Sequence, residues 1–234
     1  MKKALLLLCV LALSTKVHAQ QFITDPYKMA PRSLIEEFGN ILGAAPSASA
    51  RRISVLALEL IKDFEGWIPN AYNDPVGYCT IGYGHLIALQ RCENIVLGEF
   101  SKALSEESGS RLLEQDTKWA RLAVQNLVLV NLSDDQFGAL SSFVFNVGQS
   151  NFKTSKMLRL LNAGETDLAA GQFGRWIKAR GRILPGLVAR RACEEALFKS
   201  QLSLSSKFDR SACRSLGAAP SAGPLIDIDV GEVQ

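Results

Sequence analysis

Glu65 and Asp74 stand nine residues apart, and Thr80 follows six residues after Asp74. Two carboxylates in unlike surroundings can divide the work of breaking a glycosidic bond. One stays protonated and donates to the leaving oxygen; the other stays ionised and handles water or the developing positive charge. Glu65 precedes Gly66 at the end of a helical pattern. The C-terminal end of a helix carries partial negative charge, which disfavours an ionised carboxylate and suits a general acid. Asp74 falls within Asn73-Asp74-Pro75, with Gly77 close behind, in a polar turn. Each residue also has a plainer explanation. Glu65 could be a solvated side chain at a frayed helix end, Asp74 could bond its own turn backbone, and Thr80 could simply be a β-branched strand former. Spacing alone does not show that the two carboxylates face each other. His85, alone between Gly84 and Leu86, is expected to be a structural hydrogen-bonding group. There is no phosphate-binding loop, no Cys/His metal spacing and no Gly-x-Ser-x-Gly motif. With two histidines in the chain, no metal or cofactor is expected.

The elements that must hold these residues follow from hydrophobic periodicity. Ile53, Leu56, Ala57, Leu60, Ile61 and Phe64 mark an amphipathic helix ending at Glu65. From Ala71 to Leu89 the helical period vanishes, and Tyr78 to His85 alternates as a short strand pair would. Leu112, Leu113, Trp119, Ala120, Ala123 and Leu127 then follow one helical face. Ser133 with Gln136 forms a capping box before Phe137, Leu140, Val144 and Val147. Further helices are predicted near residues 155–163, 167–178 and 186–199. The class is α+β, mostly α, with one small β element near the start of a domain spanning residues 51–200. A domain of this size can bury a proper core.

Composition narrows the setting. The chain has 234 residues, 47% hydrophobic and 21% charged, which is ordinary for a folded protein. Residues 1–19 read as a secretory signal peptide: a basic start at Lys2 and Lys3, an apolar run from Ala4 to Leu13, and Val17-His18-Ala19 at the cut. An uncleaved anchor is the alternative; no other apolar run is long enough to span a membrane. Cleavage removes three lysines and no acids, leaving 23 basic and 23 acidic residues, so the mature chain is formally neutral. It leaves four cysteines, Cys79, Cys92, Cys193 and Cys213, an even number that in an exported chain predicts two disulfides. Of the three connectivities, Cys79–Cys92 with Cys193–Cys213 closes the shortest loops. Between Lys153 and Arg191 there are nine basic residues and two acids. A cationic lobe of that kind favours an anionic polymer, peptidoglycan and nucleic acid both qualifying on charge alone; a solvated basic face is the alternative. The overall net charge of +3 is too small to indicate a nucleic-acid protein.

Three blocks of sequence carry a resemblance. The first is Phe64-Glu65-Gly66, Ala71-Tyr72-Asn73-Asp74-Pro75-Val76-Gly77 and Thr80-Ile81-Gly82-Tyr83-Gly84-His85. The second runs from Asp135 to Leu140 and on through Ser142-Phe143-Val144-Phe145-Asn146-Val147-Gly148. The third is Phe173 to Trp176 followed by Leu184-Pro185-Gly186-Leu187 and Arg190-Arg191. In this order they resemble the phage-type lysozymes, endolysins of glycoside hydrolase family 24, over roughly residues 53–198. The resemblance implies a two-lobed lysozyme-like fold with a small β-sheet in the N-terminal lobe and a glycan cleft between the lobes. It implies hydrolysis of the β-1,4 bond between N-acetylmuramic acid and N-acetylglucosamine. Glu65 would protonate the leaving oxygen; Asp74, helped by Thr80, would activate water or stabilise the developing cation; Leu86 and Phe145 would line the cleft. The implied partner is peptidoglycan, acted on by a monomer outside the cytoplasm, with no nucleic acid and no stable membrane insertion once the signal is cut. A lytic transglycosylase is the rival enzyme, although it dispenses with water activation and so does not need Asp74 and Thr80. A catalytically silent wall-binding module is the rival from another class, and the presence of Glu65 speaks against it.

Three features depart from the family pattern. Cys79 directly precedes Thr80, and a Cys79–Cys92 disulfide would staple the β element. Residues 20–50 are additional; Leu34, Ile35, Phe38, Ile41 and Leu42 predict a short amphipathic helix there, expected to dock on the domain, followed by a linker. The tail of residues 201–234 matches nothing recognisable, and its last twenty residues are expected to be mobile. The hexapeptide Gly43 to Ala48 returns as Gly217 to Ala222, as spacers bracketing one domain would.

Overall fold

The computed structural model describes residues 49–203, 208, 210, 211, 213 and 223–232. The signal sequence, the amphipathic helix of residues 34–42 and both copies of the hexapeptide lie outside them. Helix α1 spans Val55–Glu65, capped by the Ser54 hydroxyl, which accepts from the Ala57 amide at 3.3 Å. Its inward stripe, Ala57, Leu60 and Ile61, is fully buried. The helix stops because Gly66 adopts φ 71°, a conformation open chiefly to glycine.

The chain passes directly into a three-stranded antiparallel meander: β1 (Ile68–Asn73), β2 (Cys79–Gly82) and β3 (His85–Ala88), in that spatial order. The register sets Tyr72 opposite Thr80 and Thr80 opposite Leu86. All of β2 is buried, as the middle strand of a sheet folded against the protein should be. Helices α2 (Glu106–Asp116) and α3 (Lys118–Leu127) share the apolar face seen in the sequence but are separate helices. The break at Thr117 is held by side chains that satisfy the end of α2. Both the Thr117 hydroxyl, at 2.9 Å, and Arg121 Nη2, at 2.7 Å, donate to the Glu114 carbonyl.

Helix α4 (Asp134–Val147) is the hub, opened by the expected capping box of Ser133 and Gln136. It is buried on nearly every face between α1, α3 and the last helix. A Cβ at Gly138 would lie 2.5 Å from the Ala57 side chain, so this glycine sets how closely α1 and α4 approach. Phe143 meets Phe152, Phe173 and Trp176 edge-on, with centroids 6.3, 5.3 and 5.5 Å away. Three short helices follow: α5 (Gln149–Thr154), α6 (Lys156–Asn162) and α7 (Thr166–Ala170).

The helix expected over residues 167–178 is not continuous. It ends at Ala170, gives way to a 3-10 turn at Phe173–Arg175, and is followed by a hairpin, β4 (Lys178–Ala179) with β5 (Arg182–Ile183). Arg180 and Gly181 both have positive φ, 48° and 74°, as a two-residue hairpin loop of this hand requires. Helix α8 (Pro185–Phe198) starts on a proline, and nearly all of it is buried.

The tail also departs from expectation. Residues 223–232, predicted to be mobile, form an ordered strap across the helical part of the molecule. The Ile226 amide donates to the Arg175 carbonyl at 2.7 Å, and the Ile228 amide to the Lys178 carbonyl at 3.0 Å. Ile226 joins the core, and Arg175 and Glu232 form an ion pair whose side chains are only 7% and 8% exposed. Two disulfides close, Cys79–Cys92 and Cys193–Cys213.

Candidate active site

Glu65 is the last residue of α1 and is buried to 8% exposure. A solvated side chain at a frayed end is therefore excluded. Its partner is Arg190 of α8, whose Nη1 donates to Glu65 Oε1 at 2.9 Å. Arg190 belongs to a buried cluster. Its Nε donates to Glu194 Oε1 at 3.2 Å; the Ser142 hydroxyl donates to the same oxygen at 2.7 Å. Arg191 pairs with Glu194 Oε2 at 2.7 Å and donates to Asn146 Oδ1 at 2.9 Å. Burial opposes the charge on Arg190, but the Glu65 and Glu194 carboxylates more than offset it and hold the guanidinium firmly protonated. The Arg190-Arg191 pair is visible in the sequence, yet its role is not. Glu65 lies 125 residues upstream, and only the packing of α8 against α1 and α4 joins them.

Asp74 sits in the turn between β1 and β2. Its Oδ1 accepts from the Val76 amide at 2.9 Å and the Tyr78 amide at 2.8 Å, and its carbonyl accepts from Gly77. The turn chemistry expected of an Asp before Pro is therefore present, and it fixes the carboxylate's orientation on a tight loop. Thr80 is buried in the middle strand, its hydroxyl donating to the Tyr78 carbonyl at 3.2 Å. The turn of Asp74 and the position of Thr80 are thus joined through Tyr78. Leu86 is the cross-strand neighbour of Thr80 on β3 and is half-buried. Phe145 lies on α4 with its ring 6.1 Å from that of Trp119.

The middle strand that carries Thr80, and the turn of Asp74 before it, are tied to the segment that follows β3. Cys79 bonds Cys92, and the Cys79 amide donates to the Gln90 carbonyl at 2.8 Å. Asn73 accepts from the Cys92 amide at 2.8 Å and donates to Glu93 at 2.9 Å. The hydrogen bonds from Asn73 and Arg91 hold the exposed Glu93 carboxyl at a pKa of about 2. His85 plays the structural part expected of it, with Nδ1 3.1 Å from both carboxylate oxygens of Asp116 on α2.

The basic stretch of residues 153–191 is less cationic outside than its sequence indicates. Arg175, Arg190 and Arg191 are buried in ion pairs. Asp229 and Asp227 of the strap accept from the Arg180 and Gly181 amides at the hairpin tip.

This part of the chain is similar to known proteins. The phage lysozyme family model matches residues 62–194, from the last turn of α1 through most of α8. The chain is 38% identical over 149 residues to an endolysin of Bacillus phage B103; the match covers 62% of this chain and 53% of that protein, about half its length. It is 37% identical over 149 residues to the endolysin of Salmonella phage P22, covering 64% of this chain and 99% of that one. Among solved structures it is similar to the muramidase domain of SpmX from Asticaccaulis excentricus, at 36% identity and a TM-score of 0.55, covering 63% of this chain and 97% of that one. A buried glutamate ending one helix, an aspartate in the β1–β2 turn, a threonine on β2, and a match running from that helix to the arginine-bearing α8 lead to one conclusion: the chain belongs to the phage lysozyme family.

Proposed function

We propose that this protein is a muramidase that hydrolyses the β-1,4 bond between N-acetylmuramic acid and N-acetylglucosamine in peptidoglycan. The observation that carries the reading is Glu65 itself: a carboxyl buried at a helix end, gripped by Arg190, in a chain that runs straight on into the sheet bearing Asp74 and Thr80. Glu65 donates its proton to the glycosidic oxygen as the bond breaks. Arg190, already hydrogen-bonded to that carboxyl, stabilises the Glu65 carboxylate once the proton has left. Asp74, its Oδ1 accepting from two backbone amides, is held in one orientation on a tight turn. It orients water or stabilises the sugar cation, with Thr80 beside it in the sheet. Leu86 and Phe145 are assigned to the glycan-binding wall. Endolysins act on cell walls, and the basic residues left exposed near the β4–β5 hairpin suit an anionic polymer.

The leader-like residues 1–19 support export, and among the described residues no helix is long and apolar enough to cross a membrane. The test is release of reducing ends from purified peptidoglycan by residues 20–234, beside Glu65→Gln and Asp74→Asn. Loss of the acid is expected to lower the rate about 100- to 10,000-fold. Wild-type rates in Glu65→Gln would overturn the assignment. Anhydro-muramic ends in the product, seen by mass spectrometry, would replace hydrolysis by transglycosylation.

A further inference from the structure

A helix leaves its last carbonyls without intrahelical partners, and a side chain from elsewhere can bind them. At the end of α1 that side chain is Arg210. Its Nε donates to Asp63 Oδ2 at 2.7 Å and its Nη2 to the Asp63 carbonyl at 2.5 Å. The guanidinium carbon also lies 4.9 Å from the centre of the Phe64 ring. Arg190, which holds Glu65, meets the same ring at 5.7 Å. Residues 63, 64 and 65 are thus each engaged by one or both of two guanidiniums: Arg210 takes Asp63, both take Phe64, and Arg190 takes Glu65. A cation at this end also complements the helix dipole.

Arg210 comes from outside the family match, which ends at residue 194. It reaches α1 from 147 residues away, a contact that would be costly for a loose tail to maintain. The Cys193–Cys213 disulfide removes that difficulty. Cys213 follows Arg210 by three residues, and Cys193 follows Arg190 by three residues on α8. One covalent bond therefore fastens the Arg210 segment to the same helix that presents Arg190.

We propose that Arg210 is a positioning residue for the reaction: anchored by Cys193–Cys213, it fixes the last turn of α1 and so the aim of the Glu65 carboxyl. The inference rests on Glu65 being the acid. A carboxyl out of line by about 1 Å can cost about 100-fold in rate, so loss of one of two restraints is expected to cost about tenfold.

The test uses Arg210→Gln, Arg210→Lys and Asp63→Asn in the full mature chain, with Arg111→Ala as control. Arg111 makes an exposed ion pair on α2, remote from this contact in the chain. Two quantities are measured: kcat and KM on a soluble glycan chain, and amide exchange at residues 65–67. The expected result is about a tenfold fall in kcat for Arg210→Gln and a smaller fall for Asp63→Asn, which keeps the backbone contact, with KM within about twofold and faster exchange at those amides. Arg210→Lys restores only part, because an ammonium cannot form the paired contact. The control changes neither quantity. Wild-type kcat in Arg210→Gln while Glu65→Gln is dead would overturn the positioning role alone, as would faster exchange with no change in kcat, which is what a purely structural contact gives. Full activity in Glu65→Gln would remove the acid assignment and this proposal with it.

Discussion

A carboxyl at 8% exposure needs a partner, and the partner of Glu65 is itself buried and shared with Glu194. Removing the shared cation is therefore worse than removing a surface charge. Arg190→Met is expected to destabilise the protein by about 3–5 kcal/mol, because the buried Glu65 loses its cation while Glu194 keeps only Arg191. Urea unfolding measures this, and a change under about 1 kcal/mol would mean that the pairs lie open to water. Glu93 gives a test in pH. Its folded pKa is depressed from 4.5 to about 2 by the hydrogen bonds from Asn73 and Arg91, so its contribution is complete above the unfolded value and fades as pH falls from 4.5 toward about 2. Glu93→Gln should lower the melting temperature at pH 6 and make progressively less difference on acidification. The group is fully exposed, so high salt should shrink the difference at any pH. At this scale the spacing of Glu65, Asp74 and Thr80 carries its meaning in the sequence, because all three fall within sixteen consecutive residues. Arg190, Glu194 and Ser142 carry none there, because their proximity to Glu65 exists only after α8 packs on α1 and α4.

The sheet is the element with the least support of its own. It has three short strands, and only the middle one is buried throughout. Small antiparallel sheets of this kind are marginal without help. The Cys79–Cys92 disulfide supplies it, closing a loop with a sequence separation of 13 on the strand that carries Thr80. Replacing both cysteines by alanine is expected to cost about 3 kcal/mol. Because the staple sits one residue from Thr80, activity should fall at temperatures well below unfolding. Unchanged midpoint and activity would show that hydrogen bonds alone, including Cys92 N to Asn73 Oδ1, define the turn. Long periodic elements are legible in the sequence: α1, the capping box of α4 and α8 all fall where hydrophobic period and caps put them. Two features are not. The break at Thr117 leaves the apolar stripe of α2 and α3 uninterrupted, so periodicity does not reveal it. The β4–β5 hairpin has two residues per strand, too few for a period, and Arg180-Gly181 lacks the Asn or Asp that usually announces such a turn.

Across the whole molecule, one core runs from Ile53 through α4 to Phe208, Cys213 and Ile226, so the chain beyond α8 is part of what it encloses. The strap of residues 223–232, Gly-Pro-Leu-Ile-Asp-Ile-Asp-Val-Gly-Glu, reads in sequence as part of a loose tail. Its order comes from partners at least 40 residues upstream: Arg175, Lys178, Arg180, Asn151 and Lys156. Glu232 is the keystone of that contact. One of its oxygens meets Arg175 at 2.5 Å, and the other accepts from the Lys156 amide at 2.6 Å, at the first turn of α6. Arg175 has a second acceptor in Gln172 and a third in the Pro224 carbonyl. Glu232→Ala therefore leaves the cation hydrogen-bonded but without a counter-ion in a buried site. The expected loss is about 3–5 kcal/mol if the strap stays in place. It is smaller if the strap lifts away and water reaches Arg175. The two outcomes separate by proteolysis: a strap that stays resists cleavage between residues 223 and 232, and one that lifts is cut. In the second case Asp227 and Asp229 leave the hairpin as well, and the exposed face of residues 178–182 regains the positive charge its sequence advertises. Retention on an anionic matrix should then rise for Glu232→Ala relative to wild type, with a steeper dependence on salt. Wild-type stability together with wild-type retention would show that the strap contributes to neither the core nor the charge of this face.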